Sequence, residues 1–145
     1  MRIEKLDEKH LKECSVMYIE TFNSEPWNDK WDEVTSYLRL KDIYDTPGFF
    51  GLVVLDGVEL KGAVFGNIEQ WFEGYMYNLK EMFVKKDNKG SGIGTRLISE
   101  LERLLKEEGV NSINLFTSRG DLTEKFYIKN GFITEENMIM MHKSI

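Results

Sequence analysis

The spacing of apolar residues along the chain changes period twice. In the first forty residues this spacing is helical. After an N-cap candidate at Asp7, a stripe of apolar residues predicts a helix from about 8 to 21. The stripe is formed by Leu11, Cys14, Tyr18 and Phe22. The polar segment 23–28 breaks this pattern. A second helix is predicted after it, marked by Val34, Tyr37, Leu38 and Lys41.

The middle of the chain has the composition of β-structure. Phe49–Leu55 is apolar and rich in aromatic and β-branched residues. Asp56 and Gly57 are typical of a type I′ hairpin turn, because both central positions of that turn require positive φ. The partner strand is predicted over Val58–Ile68, and a further strand over Tyr75–Val84.

The last third returns to helical spacing after a glycine-rich turn at 90–95. A helix is predicted over 95–108, ended by Gly109 and marked by Leu97, Leu101, Leu104 and Leu105. The elements predicted after it are the strand Ile113–Thr117, the helix Leu122–Lys129 and a closing hairpin of Phe132–Ile133 and Met138–His142. Strands on both sides of the 95–108 helix indicate a βαβ unit with two parallel strands.

Length and composition are those of a single globular domain over 1–145. The chain is 41% hydrophobic and 30% charged, which permits a core and argues against disorder. Cys14 is the only cysteine, so an intrachain disulfide and a cysteine-based zinc site are excluded, and two histidines are too few for a histidine-rich metal site. No signal peptide or membrane-length apolar stretch is found, so a cytoplasmic protein without membrane contact is expected.

Charge is spread unevenly along the chain. The net charge is −6, of which residues 1–74 carry −7 and residues 75–145 carry +1. An acidic chain lacks the basic footprint of a general nucleic-acid binder, so no nucleic-acid partner is expected. One half could suit a cationic ligand and the other an anionic one, and unevenly spread surface charge is the alternative.

The glycine-rich turn is the segment with the most specific chemistry. In the run Lys89-Gly90-Ser91-Gly92-Ile93-Gly94-Thr95, alternating glycines let backbone amides face one point, where a helix N-terminus adds partial positive charge. These features suit a diphosphate, and a flexible strand–helix turn is the alternative. The turn does not match a Walker A loop, because no Gly-Lys-Ser/Thr follows. It does not match the Gly-x-Gly-x-x-Gly dinucleotide fingerprint either, because its third glycine comes one residue too early.

This turn resembles the Arg/Gln-x-x-Gly-x-Gly/Ala motif of the GNAT superfamily, the acetyl-CoA-dependent N-acetyltransferases, with Lys89 in place of the Arg or Gln. A second match, Phe126-Tyr127-Ile128-Lys129-Asn130-Gly131-Phe132, is similar to the family's Tyr-x-x-x-Gly-Phe segment. The residue-level match covers about 79–132. The resemblance implies an α/β (α+β) protein with the GNAT acyl-CoA N-acyltransferase fold, a mixed central sheet of about six to seven strands flanked by four helices.

The same resemblance implies acetyl-CoA as co-substrate, with no metal. The pyrophosphate is expected on the turn formed by Lys89, Gly90, Ser91, Gly92, Ile93, Gly94 and Thr95. The pantetheine arm and the thioester oxygen are expected at the main chain of Met82, Phe83 and Val84, where a bulge in the family splays this strand from the next.

Two side chains are candidates for the proton transfers that acetyl transfer requires. The resemblance implies Tyr127 as the general acid near the sulfur, and a packed helix tyrosine is the alternative. Glu81 is the candidate base, since several members carry a glutamate there. Strand alternation would place it on one face with Leu79 and Phe83, where partial burial raises the pKa of a carboxyl. A surface carboxylate paired with a lysine is the alternative.

The acceptor amine is expected at two loops. Phe22 and Trp27 lie at the break between the first two helices, and Glu69 and Trp71 precede the long strand, nearby in the architecture that the resemblance implies. Aromatic rings beside carboxylates suit a cationic amine. Surface loops anchored by aromatic residues are the alternative.

These features predict an N-acetyltransferase that moves an acetyl group directly to the primary amine of a small, cationic, aminoglycoside- or polyamine-like acceptor. A protein or peptide N-acetyltransferase and a catalytically silent CoA-binding sensor module are the alternatives. Gly120 and Thr123 stand where many protein-directed members have Asn and Ala, which weakens the first alternative. Retention of Glu81 and Tyr127 favours turnover over the second. A homodimer is compatible with the resemblance, because dimers are frequent among relatives.

Overall fold

The structure is a computed structural model and describes all residues from 1 to 145. The chain forms two compact units, Met1–Leu115 and Phe116–Ile145. No helix in either unit combines the length and the hydropathy of a bilayer span.

The first unit is a five-stranded sheet with three α-helices. Its elements are β1 (Arg2–Lys5), a 3₁₀ turn (Glu8–His10), α1 (Leu11–Phe22), α2 (Glu33–Tyr44), β2 (Phe49–Asp56), β3 (Glu59–Trp71), β4 (Gly74–Val84), a second 3₁₀ turn (Lys86–Asn88), α3 (Ile93–Glu107) and β5 (Val110–Asn114). The strands lie in chain order. All neighbours are antiparallel except β4 and β5, so the predicted parallel βαβ unit is confirmed.

Both N-terminal helices begin at an aspartate, as capping chemistry predicts. The Asp7 carboxylate accepts the Lys9 N–H at 3.1 Å, and the first turn is 3₁₀ before α1 continues it. The Asp32 carboxylate accepts the Thr35 N–H at 2.7 Å and starts α2. The apolar face predicted for α2 is partly wrong. Tyr37 packs against the core, but Val34 and Leu38 are 66% and 52% exposed, since the helix turns Leu40 and Ile43 toward the sheet instead.

One face of the sheet packs against α1 and α2. Phe65 and Phe83 stack there with ring centroids 6.0 Å apart, and Cys14, predicted as a core residue, is fully buried. This core cluster comprises Leu6, Leu11, Cys14, Met17, Tyr18, Leu40, Ile43, Val53, Leu55, Leu60, Ala63, Phe65 and Phe83. Burial of these side chains supplies the main stabilisation of the unit.

The other face packs against α3. Its buried stripe is Ile93, Leu97, Ile98, Leu101 and Leu105. Gly62 on β3 faces this stripe, because a Cβ there would lie 3.3 Å from Ile93 and 3.4 Å from Leu97. Gly109 ends α3 with a φ of 81°, as predicted. The chain enters β5 directly afterwards, three residues earlier than predicted.

The β2–β3 hairpin is confirmed, but its turn type is not the predicted one. Asp56 pairs with Glu59, so the central positions of the turn are Gly57 and Val58. Only Gly57 has positive φ, at 61°. This is the pattern of a type II′ turn, which needs positive φ at its first central residue alone.

The second unit contains α4 (Leu122–Lys129), as predicted, and no strand. The Asp121 carboxylate caps the helix by accepting the Thr123 N–H at 2.9 Å. The predicted closing hairpin is wrong, and the sheet has five strands rather than six to seven. The apolar side chains expected in that hairpin are 68–83% exposed, so no core face holds the segment extended: Ile133, Met138, Ile139, Met140 and Met141. A lone two-stranded hairpin without such a face is marginally stable.

Candidate functional site

The C-terminal half of β4, residues 79–84, has one unpaired edge. β4 pairs with β3 as far as Val84, but it pairs with β5 only over Tyr75–Asn78. The segment 79–84 therefore has a neighbouring strand on one side alone. An open strand edge presents main-chain donors and acceptors that an extended ligand can pair with.

Three of the predicted cofactor-binding residues lie on this segment. Lys85 N–H donates to the Lys61 carbonyl at 2.8 Å, which makes these two residues a hydrogen-bonded pair of the ladder. Such pairs alternate in an antiparallel ladder, so the main-chain groups of Phe83 also point toward β3. Those of Met82 and Val84 point to the open edge. Only two of the three residues thus present main-chain groups to a ligand.

A bulge at Lys80 changes the predicted alternation. Glu81 pairs with Phe65, and Leu79 pairs with the next residue of β3, Gly66, so Lys80 is the extra residue. Leu79 consequently lies on the α3 face. The predicted grouping of Leu79 with Glu81 is wrong, whereas Glu81 and Phe83 do share the α1–α2 face.

Glu81 is held by two side chains from different helices. The Tyr18 hydroxyl of α1 donates to Glu81 Oε1 at 3.0 Å. Arg39 of α2 donates to the same oxygen through Nε at 3.1 Å and through a terminal nitrogen at 3.0 Å. Because all three hydrogen bonds end on Oε1, Oε2 is the oxygen left to exchange a proton with a substrate.

The environment of Glu81 changes its basicity. Its side chain is only 14% exposed, and burial raises the pKa of the carboxyl above its usual range. The Arg39 guanidinium and the Tyr18 hydroxyl oppose this rise, while the charge of Asp29 adds to it. A carboxylate with a raised pKa is suited to accept a proton from an ammonium group near neutral pH.

The glycine-rich turn follows the short 3₁₀ turn after β4 and leads into α3. Gly90 and Gly92 have φ of 80° and 84°, a region that glycine adopts without strain. No side chain caps the helix, so the amides of Ile93, Gly94 and Thr95 precede its first internal bond, Arg96 N–H to the Gly92 carbonyl at 3.0 Å. These outward N–H groups and the helix dipole suit an anion, which makes the turn a candidate anion site.

The lysines around this turn differ in their partners. Lys85 pairs with Glu59, which also binds Lys61 at 2.9 Å. Lys86 is exposed. Lys89 is placed over the Trp27 ring, with Nζ 5.3 Å from the centroid. Lys86 and Lys89 are therefore free of a carboxylate partner, whereas Lys85 is not.

The predicted acceptor residues separate into two groups. Phe22 contacts Trp27, with ring centroids 5.0 Å apart, and lies 6.2 Å from Phe83. This group is therefore close to the open edge of β4 and to Glu81.

The structure does not bring the second group to that place. Glu69 pairs with Met76 and accepts a hydrogen bond from Asn78 at 2.9 Å, and Trp71 lies opposite Gly74 at the far end of the β3–β4 hairpin. Five to seven residues of strand separate these positions from Glu81, roughly 16–23 Å. The expectation that Glu69 and Trp71 lie near Phe22 and Trp27 is wrong, because the sequence does not show at which end of a long hairpin a pocket opens.

Tyr127 belongs to the second unit and lies in the last turn of α4. The Phe132 N–H donates to the Tyr127 carbonyl and the Gly131 N–H to the Ile128 carbonyl, both at 3.0 Å. With Gly131 at a φ of 91° and the Tyr127 and Phe132 rings 5.3 Å apart, this is a Schellman cap. The glycine and the phenylalanine of the Tyr-x-x-x-Gly-Phe segment are thus explained by the helix cap that they form.

Sequence reasoning missed Tyr18 and Arg39 as partners of Glu81. The spacing of Tyr18 in the sequence places it on the apolar stripe of α1, and its ring does pack against Trp31 with centroids 5.0 Å apart. Nothing in the local sequence indicates that its hydroxyl has a polar partner. Arg39 had no distinguishing neighbour in the sequence. Only the packing of both helices on the β3–β4 face shows that they meet one carboxylate.

Comparison with known proteins identifies the family. The family described as "Acetyltransferase (GNAT) domain" matches residues 47–134, more than half of the chain. The chain therefore belongs to the GNAT acetyltransferases and is an acetyl-CoA-dependent acetyltransferase. No functionally curated protein matches it closely enough in sequence to count as a relative.

Solved structures share the fold at low sequence identity. An aminoglycoside acetyltransferase, meta-AAC0020, from an uncultured soil metagenomic sample in complex with sisomicin has a TM-score of 0.77 at 17% identity, over 99% of this chain and 95% of that one. Aminoglycoside N-acetyltransferase AAC(6')-Iy in complex with CoA has a TM-score of 0.76 at 16% identity, over the same shares. A transcriptional regulator from Bacillus halodurans C-125 has a TM-score of 0.77 at 21% identity, over 98% and 99%.

The described residues fit the CoA that this family uses. The outward amides at 93–95 suit the pyrophosphate, and the main-chain groups of Met82 and Val84 suit an extended arm along the open edge. When bound, acetyl-CoA supplies an activated acetyl thioester.

Proposed function

We propose that this acetyltransferase acts on the primary amine of a small, cationic acceptor, aminoglycoside- or polyamine-like, by direct transfer. The observation that carries the proposal is Glu81: a largely buried carboxylate with one engaged oxygen, beside the open edge of β4 and next to an aromatic loop. Glu81 accepts a proton from the amine, whose nitrogen forms the bond to the acetyl carbon as the carbon–sulfur bond breaks.

The positions of aromatic and acidic side chains support a cationic acceptor. Trp27 and Phe22 offer ring faces, and Asp29 in the same loop accepts the Trp31 Nε1–H at 3.1 Å. Asp29 is near enough that its charge affects Glu81. Rings flanked by carboxylates attract organic ammonium groups through cation–π and ionic contacts.

Tyr127 is proposed as the acid that protonates the departing sulfur. The support is the sequence match of its segment to the family motif and its fixed place in the Schellman cap. A phenol hydroxyl can give a proton to a thiolate and recover it from solvent.

The test is a thiol-release assay with acetyl-CoA and a panel of aminoglycosides, polyamines, amino acids and N-terminal peptides. The expected result is turnover on polyamines or aminoglycosides with a higher kcat/KM than on any peptide. Preferential turnover on peptides would favour a protein-directed enzyme, for which the loop at Trp27 and Asp29 gives no support. Tight acetyl-CoA binding without turnover on any amine would overturn the proposal in favour of a sensor module.

A further inference from the structure

The ammonium of Lys89 occupies the face of Trp27. Its Nζ lies 5.3 Å from the ring centroid, in the geometry of a cation–π contact. Lys89 belongs to the glycine-rich turn, and Trp27 belongs to the loop between α1 and α2. One contact therefore joins the anion site of α3 to the loop proposed for the acceptor.

The same tryptophan is connected to the base through a row of rings. Trp27 contacts Phe22 at 5.0 Å between centroids, and Phe22 contacts Tyr18 at 4.7 Å. The Tyr18 hydroxyl then donates to Glu81 at 3.0 Å. A cation on Trp27 and an amine at Glu81 would thus lie along one continuous wall of the first unit.

A diphosphate on the turn competes with Trp27 for the lysine. An ammonium gains more from a charge-assisted hydrogen bond to a phosphate oxygen than from a partly hydrated contact with a ring. Lys89 lies just before Gly90 and Gly92, whose positive φ places the following amides at the helix N-terminus. The flexible side chain of Lys89 can therefore reach either the Trp27 ring or a phosphate bound at these amides. When the lysine turns to the phosphate, the ring face is uncovered.

We infer that Trp27 is a cation subsite for a second ammonium group of the acceptor, and that Lys89 occupies this subsite until CoA binds. The inference rests on the proposed function and narrows it to acceptors with two or more amines: one reacts at Glu81, and another lies on Trp27. Binding of CoA first then strengthens binding of the diamine.

The first experiment requires no acceptor. A Trp31→Phe/Trp71→Phe variant leaves Trp27 as the only tryptophan, and its fluorescence is quenched with caesium ions and, separately, with neutral acrylamide, with and without saturating CoA. We expect CoA to increase quenching by caesium roughly two- to fivefold, with a smaller change for acrylamide. Equal changes for both quenchers would indicate general opening of the loop and overturn the inference.

Lys89→Met and Lys86→Met are the matched variants in this background. Both remove one positive charge from the same turn, but only Lys89 contacts the ring. In Lys89→Met we expect strong caesium quenching already without CoA and no further increase with it. Lys86→Met should keep the CoA response. A CoA response that survives Lys89→Met contradicts the exchange of one cation for another.

The second experiment uses kinetics with 1,5-diaminopentane and pentylamine, which differ by one amine. We expect Trp27→Leu to raise KM for the diamine roughly two- to fivefold and to leave KM for the monoamine nearly unchanged. Phe72→Leu, at an exposed ring on the far hairpin end, is the control and should change neither. Equal effects of Trp27→Leu on both amines would overturn the subsite. Absence of thiol release with either amine would count against the proposed function, while the quenching result still decides the inference.

Discussion

At the scale of single residues, the pKa of Glu81 depends on two side chains, Arg39 and Tyr18, which both lower it. Arg39 donates two hydrogen bonds to Oε1 and Tyr18 donates a third, and each stabilises the ionised carboxylate against the effect of burial. The charged form of a buried group is favoured only while such partners remain. The protonation state of Glu81, the proposed base, is therefore set at a given pH by helices α1 and α2 as much as by the strand that carries it.

Replacing Arg39 should move the acidic limb of the pH–rate profile. Arg39→Met removes a neighbouring positive charge, so the pKa of Glu81 rises further and the ionised base forms only at higher pH. We expect the acidic limb of kcat/KM to move up by roughly one pH unit or more. Arg39→Lys keeps the charge and should restore part of the displacement. A limb that stays in place in Arg39→Met would show that Glu81 is not the titrating base.

Tyr127 gives a separate test of the acid. Tyr127→Phe keeps the ring contact with Phe132 and the Schellman cap but removes the hydroxyl. We expect kcat to fall by about 10²-fold while the Kd for acetyl-CoA, measured by calorimetry, stays nearly unchanged. A large loss of acetyl-CoA affinity instead would assign Tyr127 a binding or structural role.

At the scale of elements, local patterns predicted most of the helices and strands. Asp7 and Gly109 mark helix ends in the sequence because capping depends on neighbouring residues only. The bulge at Lys80 and the exposed face of α2 depend on which distant residues pair or pack with them, so no local pattern contains them. The same holds for Glu81: the family resemblance made it a candidate, but its partners on two helices could not be predicted from the sequence.

The turn before α3 allows a prediction at this scale. A Cβ at Gly92 would meet nothing within 4 Å, so Gly92→Ala is strained only through its φ of 84°. We expect a loss of about 1–2 kcal/mol in the free energy of unfolding if the left-handed conformation is kept. If the turn relaxes, stability should be retained and the affinity for acetyl-CoA should fall, because the following amides no longer converge. Denaturant unfolding and calorimetry measure the two quantities, and no change in either would contradict the anion site.

At the scale of the whole molecule, the two halves of the sequence that differ in charge do not form two separate parts of the structure. β4 and α3 belong to the near-neutral half of the sequence but lie in the same unit as β1, β2 and β3. Divided by unit, the first carries a net charge of −6 and the second is neutral. The candidate anion site of the turn is therefore a local exception within an acidic unit, an arrangement that supports the proposal of a cationic acceptor beside an anionic cofactor.

This charge distribution predicts how salt affects the reaction. A net charge of −6 on the first unit concentrates cations near it, and salt weakens this attraction as the Debye length shortens from about 14 Å to about 4 Å between about 50 mM and about 500 mM ionic strength. We expect kcat/KM for 1,5-diaminopentane to fall several-fold over that range, and to fall less for pentylamine, which carries one charge fewer. The assay is thiol release at saturating acetyl-CoA, so that weaker cofactor binding does not enter. A value for the diamine that is constant or rises with salt would mean that the acidic surface does not guide the acceptor, and the preference for cationic amines would then rest on Trp27 and Glu81 alone.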